Sequence, residues 1–489
     1  MNFVSFTYLA FLPTVLILYY ALLRGWKNPL LLLASYFFYA CWNPVYALLM
    51  LLSTAVTYLA GRLMDGKKQV PKGHRAAVLA LCLVINLAIL ITFKYFNYFN
   101  DLLDVAFHMF GRHFVHPHPN ILLPVGISFY TFQALGYSVD VYRGEPAEKN
   151  FVTYALFVSF FPQLVAGPIE RGGNILPQLK REHRFSTENL RTAMLPLVWG
   201  YFKKMVIADR LAILVNAAFD APQNASALQL VIATFAFAIQ VYCDFSAYSD
   251  IARGSARMFG VELMENFNRP YFADSIQDFW RRWHISLSTW FKDYIYFPLG
   301  GSRVKSFRHY LNLMAVFLIS GLWHGAASQY VVWGLLHGGY QVVGLLTRPA
   351  KDRVLTALNI PEDSRLLHAG RVAVTFLLTC FAWIFFRADS LRGALFIIGR
   401  IFSGAAGAGS WKEQLLSMGL TFRQCFVAGL SCCILAAVDW KNAGHRLETA
   451  VNGRRWLLYP VLFLLIAAAF IFGVYGAGVD PQAFIYFQF

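Results

Sequence analysis

YLNLMAVFLISGLWHGAASQYVVWGLLHGGYQVVGLL, residues 310–346, holds no Asp, Glu, Lys or Arg. A helix needs about 20 predominantly apolar residues to cross the hydrocarbon of a bilayer. A run of this length therefore reads as two membrane segments, with Ser328 or Gln329 marking the turn. In its first half His324 is flanked by Gly321 and Gly325, within SGLWHG at 320–325. Ionisable residues inside such runs are expensive and usually functional. Desolvation favours neutral imidazole, the form that acts as a general base, and the glycines permit close approach of a substrate or a second backbone. The competing reading of His324 is a hydrogen-bonded packing residue. His337 lies 13 residues further on, about 20 Å along one straight helix. It reads as structural unless a turn brings it back.

The rest of the chain agrees with a membrane reading. Of 489 residues, 58% are hydrophobic and 14% charged, against about 45–50% and about 25% in soluble domains. Further apolar runs lie at about 3–23, 30–42, 45–60, 76–96, 151–168, 193–215, 227–243, 371–386, 425–438 and 456–478. The expected fold is an all-α polytopic membrane protein with about 10–13 transmembrane helices. Met1–Leu23 has no basic n-region and reads as a retained first span. Trp42-Asn43-Pro44 divides an over-long run, because proline removes a backbone donor. Arg24 and Lys27, then Arg62, Lys67, Lys68, Lys72 and Arg75, mark two cytoplasmic loops; 97–120, with Asp101 and Asp104 against Arg112, reads as an external loop, which places the N-terminus outside. The net charge of +16 belongs to this loop bias rather than to nucleic-acid binding.

Several chemistries are excluded. The seven cysteines lie in or beside apolar runs with no zinc-like spacing. His108, His113, His116 and His118 lack a Cys or close carboxylate partner, so no metal site is expected. No Walker loop, His-Glu-x-x-His or Gly-x-Ser-x-Gly occurs.

Three stretches do not read as plain spans: 121–143, 162–191 and 244–309. In the third, Phe279, Trp280, Trp283, Leu287, Trp290, Phe291 and Tyr294 recur at helical spacing. This face either lies along the interface or dips in and packs on protein. Charge and irregular backbone at membrane depth are tolerated only against protein or a wet cavity, so the three stretches point to a cavity. His284 follows Arg281, Arg282 and Trp283; the arginines suit an anionic group or the lipid headgroups. Asp244 and Asp250 are six apart, on different faces of a regular helix, so pairing a cation or orienting a loop suits them better than acid/base work.

At this point the residues resemble a known family. FWRRWHISLSTWFKDYIYFPLGG (279–301) and SGLWHG (320–325) resemble the two signature regions of membrane-bound O-acyltransferases. PVGISFYTFQALGYSVDVYRG (124–144), FFPQLVAGPIER (160–171), YCDFSAYSDIARG (242–254) and FIYFQF (484–489) extend the likeness to the bacterial alginate O-acetyltransferase type over nearly the whole chain. The resemblance implies one integral-membrane domain, 1–489: N-terminal spans 1–120, a catalytic core 121–346 and C-terminal spans 347–489. It implies a ring of helices around a central tunnel, an acetyl-CoA donor reached from the cytoplasm, no permanently bound cofactor, and location in the bacterial inner membrane. It also implies a periplasmic acetyltransferase- or esterase-like partner and a polysaccharide acceptor. It places catalytic roles on His324 and His284, with Arg281, Arg282, Trp283, Lys292, Trp323, Asp244 and Tyr248 as candidates around donor and tunnel. Alginate, peptidoglycan, cellulose and teichoic acids remain open as acceptors. D-alanyl transfer from a carrier protein, a glycan transporter and a non-catalytic scaffold are the competing readings.

Overall fold

The computed structural model describes residues 1–65, 71–112, 122–361, 363–475 and 484–485. His113, His116, His118, Lys67, Lys68 and residues 486–489 of the C-terminal motif lie outside them. Among the described residues there is no strand, and one isolated antiparallel bridge joins Phe267 and Trp283. Six of the described helices are long and apolar enough to cross a membrane: Pro44–Met64, Lys72–Lys94, Ala227–Met258, Arg365–Arg387, Phe422–Lys441 and Arg455–Phe472. The chain is an all-helical polytopic membrane protein. Its residues group into two compact units.

The first unit comprises Met1–Leu197 and Tyr248–Met264. The Trp42-Asn43-Pro44 break falls between helices Arg24–Ala40 and Pro44–Met64, where Asn43 Oδ1 caps the Val45 amide at 2.9 Å. Polar groups inside this unit are bonded to one another. Ser53 donates to Asn86 at 2.6 Å, Tyr154 to Thr57 at 2.7 Å, and Gln133 to the Phe157 carbonyl at 2.5 Å. Such bonds replace the water that hydrocarbon lacks. One expectation changes: the segment after Lys94 is not simply a loop, because Phe96–His108 is helical. Its apolar residues recur at three- and four-residue intervals, a pattern the excess of acid over base had obscured.

The second unit comprises Val198–Ala247 and Glu265–Phe489. The 310–346 run forms two helices, Ser306–His324 and Ser328–Ala357. The break is Gly325–Ala327, just before the residues expected to mark it, and the second helix opens at Ser328. The two arms touch through backbone at two glycines. A Cβ added to Gly321 would meet the Tyr330 carbonyl oxygen at 2.3 Å, and one on Gly334 the Phe317 carbonyl oxygen at 2.3 Å.

Two readings of the 244–309 stretch are corrected. The helix Ala227–Met258 does not end at Cys243 but runs for 32 residues, carrying Asp244 within it because a lysine neutralises that carboxylate. The aromatic face at 279–294 is not one helix. It breaks into Ile276–Arg282 and Ile285–Phe291, with His284 between them at φ 45°. The residues of this face still serve one purpose, since the aromatic Phe279, Trp280, Trp283, Trp290 and Phe291 and the aliphatic Leu287 are all buried. The segment packs on protein.

Candidate active site

The site is built on two chain reversals, both in the second unit. His324 is the last residue of its helix, because Gly325 leaves helical conformation for an extended one. His284 occupies the left-handed backbone region, where histidine is among the few non-glycine residues found with any frequency. Asn266 holds that reversal in place. Its Oδ1 accepts from the Ser286 amide at 3.2 Å and the Ser286 hydroxyl at 2.9 Å, and its main-chain carbonyl accepts from Ile285 N at 3.0 Å.

The same oxygen lies 3.2 Å from His284 Nδ1. An oxygen already accepting two hydrogens can only accept again, so Nδ1 carries the proton and Nε2 is the basic nitrogen. His284 lies between two seven-residue helices, neither long enough to span a bilayer. Burial pushes its imidazole down to about 3, so it is neutral at physiological pH.

The two histidines are brought together. Their ring centroids are 6.5 Å apart, and both side chains are buried, at 0% and 2% exposure. Aromatic rings wall the pair. Phe245 and Trp323 stand 4.7 and 5.7 Å from His284; Trp323, Trp333 and Phe386 stand 4.9, 4.9 and 5.3 Å from His324. These walls exclude bulk water, which strengthens every polar interaction inside. The turn at Gly325–Ala327 also brings His337 back. Trp333 touches both histidines of the hairpin, at 4.9 Å from His324 and 5.0 Å from His337, and Trp280 Nε1 donates to His337 Nδ1 at 3.2 Å.

The other candidates fall elsewhere. Arg281 and Lys292 are exposed, and Lys292 lies over the Phe297 ring at 5.4 Å. Arg282 pairs with Asp278 at 2.8 Å. Trp283 belongs to an aromatic cluster with Phe267 and Trp383, at 5.0 and 5.1 Å. Tyr248 falls in the first unit, stacked on Phe3 at 4.5 Å. Asp250 faces Arg253 at 3.7 Å.

Asp244 is part of a buried ion cluster. Lys204 bonds Asp244 at 2.7 Å and Asp209 at 2.8 Å, and the other Asp244 oxygen accepts from the Ile485 amide at 2.7 Å. The Phe484 ring lies 4.4 Å below the Lys204 ammonium, a cation–π contact. Removing Lys204 leaves two buried carboxylates facing each other. Lys204→Met is therefore expected to cost about 3–5 kcal/mol and to exceed Asp244→Asn, which leaves the Lys204–Asp209 pair standing. Thermal midpoints of the purified variants check the order.

Sequence reading missed Asn266, Trp333, Phe386 and Lys204. For Lys203 and Lys204 the signal was present, two lysines inside the apolar run 193–215. Asn266 carries no pattern a sequence reading can use.

The model of the membrane-bound O-acyltransferase family matches residues 138–386. The probable alginate O-acetylase AlgI of Pseudomonas putida is 37% identical over 497 residues, 98% of each chain. This chain belongs to the membrane-bound O-acyltransferase family. As an acyltransferase it is an enzyme, which removes the transporter and scaffold readings. The peptidoglycan O-acetyltransferase of Helicobacter pylori is 33% identical to this family member, covering 98% of it and 96% of the relative. The teichoic acid D-alanyltransferase of Bacillus subtilis is 30% identical over 45% of this acyltransferase and 59% of its own length. Both histidines and their aromatic walls at Phe245, Trp323, Trp333 and Phe386 fall inside the matched family region.

Proposed function

We propose that this acyltransferase moves an acetyl group from acetyl-CoA on the cytoplasmic side of the bacterial inner membrane, through a passage past His284 and His324, to an extracytoplasmic acceptor. The product is an O-acetylated surface or secreted polysaccharide. The observation that carries this reading is the pair of buried histidines, 6.5 Å apart, at two chain reversals walled by aromatic rings. His324 takes the proton of the acceptor hydroxyl as its oxygen attacks the thioester carbonyl. The C–S bond breaks, and the imidazolium returns the proton to the departing thiolate, giving the ester and free coenzyme A. His284, with its proton fixed on Nδ1, holds the donor or the attacking group through Nε2. Placement matters because proximity supplies much of the rate. Trp323 excludes water that would hydrolyse the thioester. Exposed Arg281 and Lys292, with Arg282, suit the coenzyme phosphates at the cytoplasmic mouth.

Alginate is the favoured glycan, from the near full-length similarity to the probable alginate O-acetylase of Pseudomonas putida. A periplasmic acetyltransferase- or esterase-like partner completes transfer onto the polymer. Peptidoglycan is the second reading, supported by the Helicobacter relative across nearly the whole chain. The test uses membranes containing the protein, supplied with acetyl-labelled acetyl-CoA and with D-alanine under carrier-charging conditions. Release of coenzyme A thiol and label in extracytoplasmic glycan are expected with the acetyl donor. Release only under carrier-charging conditions would replace acetyl by D-alanyl transfer. No thiol release by folded protein would overturn the donor assignment.

A further inference from the structure

A second site stands in the first unit, formed wholly by its own residues. A cavity of about 460 Å³ is lined by Arg24, Lys27, Lys180 and Arg181, with Glu148 and Glu182 as the opposing carboxylates. Two of the cations are committed. Lys180 pairs with Glu148 at 2.5 Å, and Lys27 donates to the His183 carbonyl at 2.7 Å while lying over the Tyr19 and Tyr20 rings. Arg24 reaches Glu182 only at 3.9 Å and keeps a side chain 65% exposed, and Arg181 is exposed. Two guanidinium groups thus border the cavity with little to hold them.

The backbone adds to this field. The N-terminal end of helix Arg24–Ala40 lines the cavity through Gly25 and has no side-chain cap, whereas that of helix Phe151–Ser159 is already closed by Asn150 Oδ1, which accepts from the Thr153 amide at 3.1 Å. An uncapped end carries partial positive charge that favours an anion. The opposing C-terminal end of helix Gly172–Lys180 is blunted, because Asn28 Nδ2 donates to the Leu179 carbonyl at 2.9 Å.

The rim indicates the source of that anion. Leu22, Leu23 and Trp26, on either side of Arg24, are 37%, 79% and 65% exposed. Apolar residues and a tryptophan beside arginine are the pattern of a chain at headgroup depth. The basic helix start that holds Arg24 and Lys27 reads as cytoplasmic, the side on which anionic lipids give a membrane its negative surface potential.

We propose that this cavity binds the phosphate ester of an anionic phospholipid headgroup, gripped by Arg24 and Arg181, with the acyl chains leaving past Leu23 and Trp26. The site tethers the first unit to lipid of one charge class. Phosphate groups of coenzyme A share the chemistry, so the test separates the two sources.

The full-length protein is purified in detergent and titrated with short-chain phosphatidylglycerol, short-chain phosphatidylcholine and coenzyme A, reading bound ligand by native mass spectrometry and the thermal midpoint. Wild type is compared with Arg24→Gln/Arg181→Gln and with Lys351→Gln, an exposed lysine of the second unit that does not line the cavity, as control. Phosphatidylglycerol is expected to bind and raise the midpoint. The double variant, folded with an unchanged ligand-free midpoint, is expected to bind it roughly tenfold or more weakly, and the control to match wild type. A loss confined to coenzyme A would keep the phosphate site and reassign its source. Equal binding of the two lipids, or equal phosphatidylglycerol binding by wild type and double variant, would overturn the proposal. If the double variant is unstable without ligand, each single variant gives the same comparison.

Discussion

His324→Ala is expected to abolish glycan acetylation while the protein remains in the membrane at normal abundance. A positioned general base contributes about 10²–10⁴-fold, or roughly 3–5 kcal/mol of transition-state stabilisation. Loss on that scale takes ester acetate below detection in whole-cell polysaccharide. The imidazole sits among Trp323, Trp333 and Phe386, so its removal leaves a void. His324→Gln, nearer in volume, separates lost chemistry from lost packing and is expected to be equally inactive. Acetylation near wild type in either variant, at matched abundance, would remove His324 from the mechanism. His284 combines two demands. His284→Ala removes the ring and burdens a left-handed backbone, whereas His284→Asn keeps a residue that tolerates that conformation.

The largest structural effect is expected at Gly334. Its added Cβ would stand 2.3 Å from the Phe317 carbonyl oxygen and 3.2 Å from Gly321 Cα. Both are backbone atoms, which cannot rotate out of the way. Gly334→Ala must push the two arms of the hairpin apart, and overpacking of this kind costs typically 1–3 kcal/mol, occasionally more. Because the hairpin carries His324 at its turn and Trp333 on its second arm, activity is expected to fall with stability. Gly339→Ala, on the same helix with nothing within 4 Å of the new Cβ, is the matched control. Fluorescence-detected size exclusion and thermal midpoints read both. A Gly334→Ala protein as stable as Gly339→Ala would show that the arms do not touch there.

The class of fold was legible because membrane helices announce themselves by composition, as in the runs 76–96 and 456–478, where Lys72–Lys94 and Arg455–Phe472 are long and apolar enough to cross a membrane. His324 was legible for a related reason, an ionisable side chain where hydrocarbon penalises it. The path of the chain around His284 was not. The aromatic spacing at 279–294 satisfies a helical period equally well whether the helix is continuous or interrupted, and the interruption is enforced from outside by Asn266. Asp244 was visible as a carboxylate beside an apolar run, but its use depends on Lys204, forty residues earlier, and on Ile485. Contacts this distant in sequence leave no local periodicity. Of the four cations around the cavity of the first unit, Arg24 and Lys27 were read only as markers of orientation and Lys180 and Arg181 drew no reading, because charge counting cannot tell a scattered set from a convergent one.

The bond from Ile485 to Asp244 has a consequence for how the protein is made. Synthesis runs from the N-terminus, and domains complete in that order. Asp244, Lys204 and Asp209 enter the bilayer long before the ribosome has delivered residue 485. Until then one oxygen of Asp244 lacks its amide donor and Lys204 lacks the ring beneath it. The second unit is thus finished last, by its own late residues returning to a charge laid down midway through translation, and a nascent chain released before that step carries the defect in a buried ion cluster.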